Sequence, residues 1–312
     1  MSSLLFPGQG SQIVGMGNEF FNNFKIVKNI FHQADEKLSY PLSKMILEGP
    51  ENELQLTKNT QPAIMTVSYS IFKVLSEEFN YNLNSFKFFA GHSLGEYSAL
   101  VSSGGIELDD AFYLLHERGK AMQEAVPVGN GQMLAVLGAK IELIKELINT
   151  IDKTEICEIA NDNSEGQVII SGDKQSVETF QKKLKERKIK TIPLKVSAPF
   201  HCSLMKPAAE IMKKKIDETK FKKPKFDIVS NVTAKPENEP EVIKNLLIDQ
   251  ICSTVRWRES IINMSNLGVS NFIEIGPGKV LTGMIKRTLK DANCFSINSI
   301  ADIKNLENEL KK

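Results

Sequence analysis

Gly91-His92-Ser93-Leu94-Gly95 holds the residue types that nucleophilic catalysis needs. A serine on a sharp strand-to-helix turn projects its hydroxyl clear of the backbone, and small flanking residues let the turn close. The pattern is short, so its flanks carry the reading. Phe86-Lys87-Phe88-Phe89-Ala90 precedes it as a buried strand, and Glu96-Tyr97-Ser98-Ala99-Leu100-Val101 follows as a helix start. The free N–H groups of such a helix face the serine and can stabilise an oxyanion. An ordinary glycine-rich strand–turn–helix is the alternative.

A serine nucleophile needs a base, and the chain has four histidines. His32 sits in a polar helical stretch and reads as a surface residue. His92 adjoins Ser93, and neighbouring side chains on a tight turn diverge. His116 lies within a helix and reads as a surface or packing residue. His201, in Ser197-Ala198-Pro199-Phe200-His201-Cys202, follows a strand and precedes a helix, which leaves it as the best base by elimination. The α/β-hydrolases place an acid and then a histidine late in the chain. Here more than 100 residues follow His201, and no acid member is apparent.

The elements that must position these groups alternate strands and helices. Leu4-Leu5-Phe6 reads as the first strand, so no targeting segment is expected ahead of it. Asp109 or Asp110 can cap a helix carrying Phe112, Leu115, Gly119 and Met122 on one face. Pro127 and Gly129-Asn130-Gly131 then break the pattern. Strands at 133–137, 156–160, 168–170 and 189–196 and helices at 141–148 and 173–187, the second capped by Asp173, follow in the order β-α-β-β-α-β of a ferredoxin-like unit. Strands at 227–230 and 272–275 and helices near 205–218, 241–251, 257–267 and 279–290 complete the pattern. The expected fold is α/β. A hydrolase-like large domain, 1–127 and 197–312, has a parallel-type sheet and a nucleophile elbow, and an inserted ferredoxin-like small domain spans 128–196.

The bulk properties exclude several classes. Hydrophobic residues make up 41% and charged residues 25% of the 312, an ordinary globular balance. A formal net charge of +1 marks no obvious nucleic-acid or membrane binder. No apolar run approaches the roughly 20 residues that span a bilayer. Cys157, Cys202, Cys252 and Cys294 show no metal-ligand or redox spacing, and read as reduced thiols of a cytoplasmic protein.

Several further motifs fall in order along nearly the whole chain. They are Phe6-Pro-Gly-Gln-Gly-Ser-Gln12, Thr60-Gln-Pro62, Gly91-His-Ser-Leu-Gly-Glu-Tyr-Ser98, Arg118-Gly119, Met122-Gln-Glu-Ala-Val-Pro127, Phe200-His-Cys-Ser-Leu-Met205 and Glu274-Ile-Gly-Pro-Gly-Lys-Val-Leu281. Together they resemble the malonyl-CoA:acyl carrier protein transacylases of type II fatty acid synthesis. The resemblance implies transfer of malonyl from malonyl-CoA to an acidic, transiently bound acyl carrier protein. It implies no bound cofactor and no metal, in a cytoplasmic monomer. Ser93 would be the acylated nucleophile and His201 its base. Gln250 matches the position whose backbone carbonyl orients the histidine. The amides of Gln9 and Leu94 would form the oxyanion hole. Arg118 would pair with the malonyl carboxylate, with Gln61, Met122, Asn161 and Phe200 as further substrate contacts. A bulky residue at Phe200 resembles the pattern selective against larger α-branched acyl groups.

The residues alone are compatible with that role for Arg118. It lies three positions after Leu115 and four before Met122, beside the apolar stripe. A buried guanidinium needs an anion, and a carboxylate suits its bidentate fork. On the residues alone, an internal salt bridge to a neighbouring element is the favoured reading. Residues 181–225 hold 15 Lys/Arg against 4 Asp/Glu, which could steer an acidic carrier or simply solvate a surface. A serine hydrolase or thioesterase shares Ser93 and His201 but has no reason to hold a cation such as Arg118. A dinucleotide-binding protein rests only on Gly8-Gln-Gly-Ser-Gln-Ile13, which ends in isoleucine, and on Gly276-Pro-Gly-Lys279, which lacks phosphate-loop spacing.

Overall fold

The computed structural model describes residues 1–310 apart from Lys153 and Ser197, and the side chains up to residue 306. Ser197, where the sequence places the return to the large domain, lies outside the described residues. The strands are β1 (Ser2–Phe6), β2 (Phe86–Gly91), β3 (Gly131–Leu137), β4 (Cys157–Ser164), β5 (Gln167–Asp173), β6 (Lys190–Pro193), β7 (Asp227–Val229), β8 (Pro236–Glu237), β9 (Asn271–Ile275) and β10 (Asn293–Ile297).

Among the described residues they form two sheets. The larger has the order β10-β9-β1-β2-β7-β8. Its pairs are parallel except β7–β8, which is antiparallel. A parallel sheet needs helices on both faces, and its residues divide accordingly. Leu4, Phe6 and Phe89 join the core beneath the long helices Thr57–Lys73 and Leu108–Glu124. Leu5, Ala90, Val229 and Phe272 pack on the other face with Trp257, Ile261, Leu281 and Ile285. The smaller sheet is antiparallel, order β4-β5-β3-β6. One face carries Leu134, Val136 and Ile170 against the helices Ile141–Ile148 and Lys174–Glu186. Its other face turns Met133, Ala135 and Ile169 toward the larger core.

The two sheets are joined near the site. Asp162 N donates to Val255 O at 3.0 Å, and Val255 N donates to Ala160 O at 2.8 Å. The Asp162 carboxylate, 1% exposed, pairs with Arg258 at 2.9 Å. These bonds fix the end of β4 against the helix Trp257–Asn266.

Two expected caps are not made. The helix Leu108–Glu124 starts after Glu107, so Asp109 and Asp110 lie in its first turn, where negative charge interacts favourably with the positive end of the helix dipole. Asp109 accepts from Gln33 Nε2 at 2.7 Å instead. Asp173 does precede its helix, but its carboxylate accepts from Ile156 N at 3.0 Å and makes no cap bond. The strand expected at 189–196 spans only 190–193, because the chain beyond Leu194 leaves the sheet to line a cavity. No described helix is long and apolar enough to cross a membrane.

The glycines around Ser93 are required by contact. A Cβ on Gly91 would lie 1.9 Å from Gly95 C, and one on Gly95 would lie 2.2 Å from Phe6 O. Backbone cannot give way as a side-chain tip can. Gly95→Ala is therefore expected to destabilise the protein by about 1–3 kcal/mol, read as a lower urea-unfolding midpoint. An unchanged midpoint would contradict this close packing.

Candidate active site

β2 runs into the helix Gly95–Ser102 through Ser93, whose φ is 53°. A non-glycine residue in this left-handed region is strained and persists only where its surroundings fix it. Asn231 does much of the fixing. Its Oδ1 accepts from Ser93 N at 2.7 Å, and its Nδ2 donates to Gly91 O at 2.7 Å. His92 N also donates to Phe6 O at 3.0 Å, tying the turn to β1.

The serine side chain meets two groups brought from far along the chain. Ser93 Oγ lies 2.8 Å from His201 Nε2 and 3.1 Å from Arg118 Nη2. His201 Nδ1 lies 2.9 Å from Gln250 O. A carbonyl only accepts, so Nδ1 carries a proton. The neutral ring then offers the Nε2 lone pair to the serine hydroxyl. Burial pushes the His201 pKa down to about 3, the Arg118 charge adds to this, and the bond to Gln250 O opposes it. The free site therefore holds an uncharged imidazole aimed at a serine hydroxyl.

Arg118 is 1% exposed. Nη1 donates to Gln61 Oε1 at 2.7 Å, and Nη2 donates to Gln250 Oε1 at 2.8 Å as well as to Ser93 Oγ. Its Nε has no hydrogen-bond partner among the described residues. No described carboxylate forms a salt bridge with it, so the internal salt bridge allowed by the sequence is not formed. The guanidinium also lies 5.7 Å from the Tyr97 ring centroid. Neutral amides and a hydroxyl hold this buried cation, and none of them cancels its charge.

These groups line a cavity of about 400 Å³ between the two sheets. Gln9, Leu94, Met122, Asn161 and Phe200 also line it. The amides of Gln9 and Leu94 donate to no protein group among the described residues. Asn163 lines the wall as well and accepts from His92 Nε2 at 2.8 Å, which turns His92 away from Ser93. Asp162, between the two asparagines, points to Arg258 instead. His32 is exposed, and His116 packs on Tyr40 with a ring separation of 5.5 Å. No described group of His, Cys, Asp or Glu is arranged to hold a metal.

Sequence reasoning missed Asn231 and Asn163. Asn231 lies just past the C-terminal end of β7, beside the end of β2. Sites in open α/β sheets gather at such ends, and this was the available signal.

Sequence profiles of acyl transferase domains match residues 4–310. Malonyl CoA-acyl carrier protein transacylase of Bacillus subtilis is 43% identical over 298 residues, covering 95% of this chain and 93% of that protein. The chain belongs to the malonyl-CoA:acyl carrier protein transacylase family. It is an acyltransferase. The crystal structure of acyl-carrier-protein-S-malonyltransferase from Bartonella henselae is similar with a TM-score of 0.96 and 41% identity, covering 100% of this chain and 99% of that one. A malonyl-transacylase solved in complex with a type II PKS acyl-carrier protein is similar with a TM-score of 0.94 and 39% identity, covering 98% and 99%.

The electrostatics of this acyltransferase give a direct expectation. A histidine pKa pushed down to about 3 leaves His201 neutral above that pH. Its NMR signals should stay flat between about pH 5 and 8, where an unperturbed imidazole titrates. A midpoint near the ordinary histidine value would contradict the site described.

Proposed function

We propose that this acyltransferase moves the malonyl group from malonyl-CoA to the phosphopantetheine thiol of an acyl carrier protein, through a malonyl ester on Ser93. The observation that carries this reading is Arg118, a buried guanidinium without a carboxylate partner, 3.1 Å from the serine oxygen. A plain thioesterase has no use for it, whereas malonyl carries a free carboxylate that suits it. Names of the relatives agree, and one solved relative is bound to a carrier.

The chemistry is ping-pong. Ser93 Oγ gives its proton to His201 Nε2 and attacks the malonyl thioester carbon. The oxyanion forms against the amides of Gln9 and Leu94, where preorganised donors favour the transition state over the ground state. The carbon–sulfur bond breaks, and the His201 proton passes to the departing coenzyme A sulfur. The carrier thiol then gives its proton to His201 and attacks the ester. Ser93 leaves and recovers the proton. Gln250 O holds the imidazole tautomer through both halves, in the place of a triad carboxylate. Gln61 fixes Arg118, while Met122, Asn161 and Phe200 shape the acyl pocket. The reaction is proton and acyl transfer throughout and calls for no cofactor.

In this reading residues 1–127 and 197–312 form the hydrolase-like catalytic domain, and 128–196 form a ferredoxin-like insertion that walls the cavity. The sheet order β4-β5-β3-β6 supports the latter. The protein works as a cytoplasmic monomer. Steering of the acidic carrier by residues 181–225 rests on fewer charges than the count suggests. Lys213, Lys215, Lys222 and Lys223 already pair with Asp217, Glu117, Glu107 and Glu239, respectively.

Brief mixing with malonyl-CoA should give one malonyl adduct by intact-protein mass spectrometry. Ser93→Ala should give none, and added acyl carrier protein should remove the adduct and become malonylated. Loss of the adduct to water alone would favour a hydrolase, and no adduct on the parent would contradict the proposal.

A further inference from the structure

Glu96 is a carboxylate in the wrong place for a surface helix residue. It is the second residue of the helix Gly95–Ser102 and is 2% exposed. It forms no salt bridge among the described residues. Instead its Oε2 accepts two hydrogen bonds, from Asn231 N at 3.0 Å and from Gln250 Nε2 at 2.8 Å. Both donors hold the reacting groups. Asn231 fixes the strained backbone of Ser93. Gln250 fixes His201 through its main-chain carbonyl and Arg118 through its side-chain oxygen.

The amide of Gln250 therefore lies between two opposite charges. Arg118 donates to its oxygen, and Glu96 accepts from its nitrogen. Turned over, the amide would set N–H groups against a guanidinium and an oxygen against a carboxylate. The two ions thus select one orientation and polarise the amide along its length.

We infer that Glu96 is a positioning residue of the acyl-transfer site, the counter-charge that acts on Arg118 and His201 through Gln250 and on Ser93 through Asn231. The inference rests on the malonyl-transfer reading above. The charge count gives it a kinetic signature. Glu96 and Arg118 together make the free centre neutral, and a malonyl carboxylate adds one negative charge. In the transition state His201 becomes an imidazolium beside Arg118, whose charge opposes it. Glu96 offsets that opposition. Without its charge the pocket is net positive, so the malonyl carboxylate binds no worse while the imidazolium forms less readily. Burial pushes the Glu96 carboxyl up to about 7, opposed by Asn231, Gln250 and Arg118. An assay at about pH 8 thus holds it mostly ionised.

Glu96→Gln isolates the charge. Both hydrogen bonds reach one oxygen, so a glutamine carbonyl there can keep them. Steady-state transfer by E96Q should show kcat lowered at least about tenfold with KM for malonyl-CoA unchanged or lower. Glu96→Asp restores the charge on a shorter arm and should recover a higher kcat than a folded E96Q, and an E96Q protein that does not fold marks a structural residue and overturns the inference. A KM that rises together with a falling kcat marks a merely structural residue and overturns the inference. So does an E96Q kcat equal to the parent's, or one above that of E96D. The parent's malonyl adduct is measured alongside. Its absence sinks the transferase reading and this inference with it, whereas its presence with an unaffected E96Q sinks the role of Glu96 alone.

Discussion

A guanidinium buried without a carboxylate against it has to be held by groups that are themselves held. Arg118 meets this condition with neutral acceptors, Gln61 Oε1, Gln250 Oε1 and Ser93 Oγ. Desolvation lowers its pKa, and the nearby Tyr97 and Glu96 oppose that shift. Such a cation retains affinity for an anion because no carboxylate pairs with it directly, Glu96 reaching it only through the Gln250 amide. Burial keeps His201 neutral in the free site, and the Arg118 charge adds to that effect. A substrate carboxylate would relieve both conditions at once, drawing the acyl group into place and making the imidazole a stronger base.

The fold exists around this arrangement in a physical sense. Ser93 can present its hydroxyl only in a left-handed backbone conformation, and that turn closes only with glycine at 91 and 95. Arg118 comes from the middle of the helix Leu108–Glu124, on the core side of the parallel sheet. His201 comes from the segment returning from the small sheet, itself at a φ of 58°. Two sheets and the connection between them must be correctly packed before the three groups meet. The bonds from Ala160 and Asp162 to Val255, and the Asp162–Arg258 pair, hold the wall of the cavity at that junction.

Local pattern made much of this legible. The helix Ile141–Ile148 has the bounds its apolar period implies, and β2 lies where the run before Gly91 places it. Ser93 is readable because an elbow has a local sequence cost, two glycines at fixed spacing. His201 could be reached by elimination among four histidines. Asn231, Asn163 and Glu96 could not, because their work depends on partners distant in sequence. Asn231 N and Glu96 are 135 residues apart, and His92 and Asn163 are 71 apart. Asp109 and Asp173 misled for the same reason. Each looks like a local cap, and each spends its carboxylate on a remote donor.

If Arg118 selects an acyl group by its free carboxylate, two thioesters that differ by that group will respond differently to its loss. Parent and Arg118→Ala would be assayed with malonyl-CoA and with acetyl-CoA, which differ by that carboxylate alone. The substitution should lower kcat/KM for malonyl by ~10²–10³-fold, the scale of breaking a buried charge pair. Acetyl transfer should be unchanged or faster, so that the preference collapses. Equal losses for both substrates would contradict this selection and leave Arg118 as a support for Ser93 and Gln250.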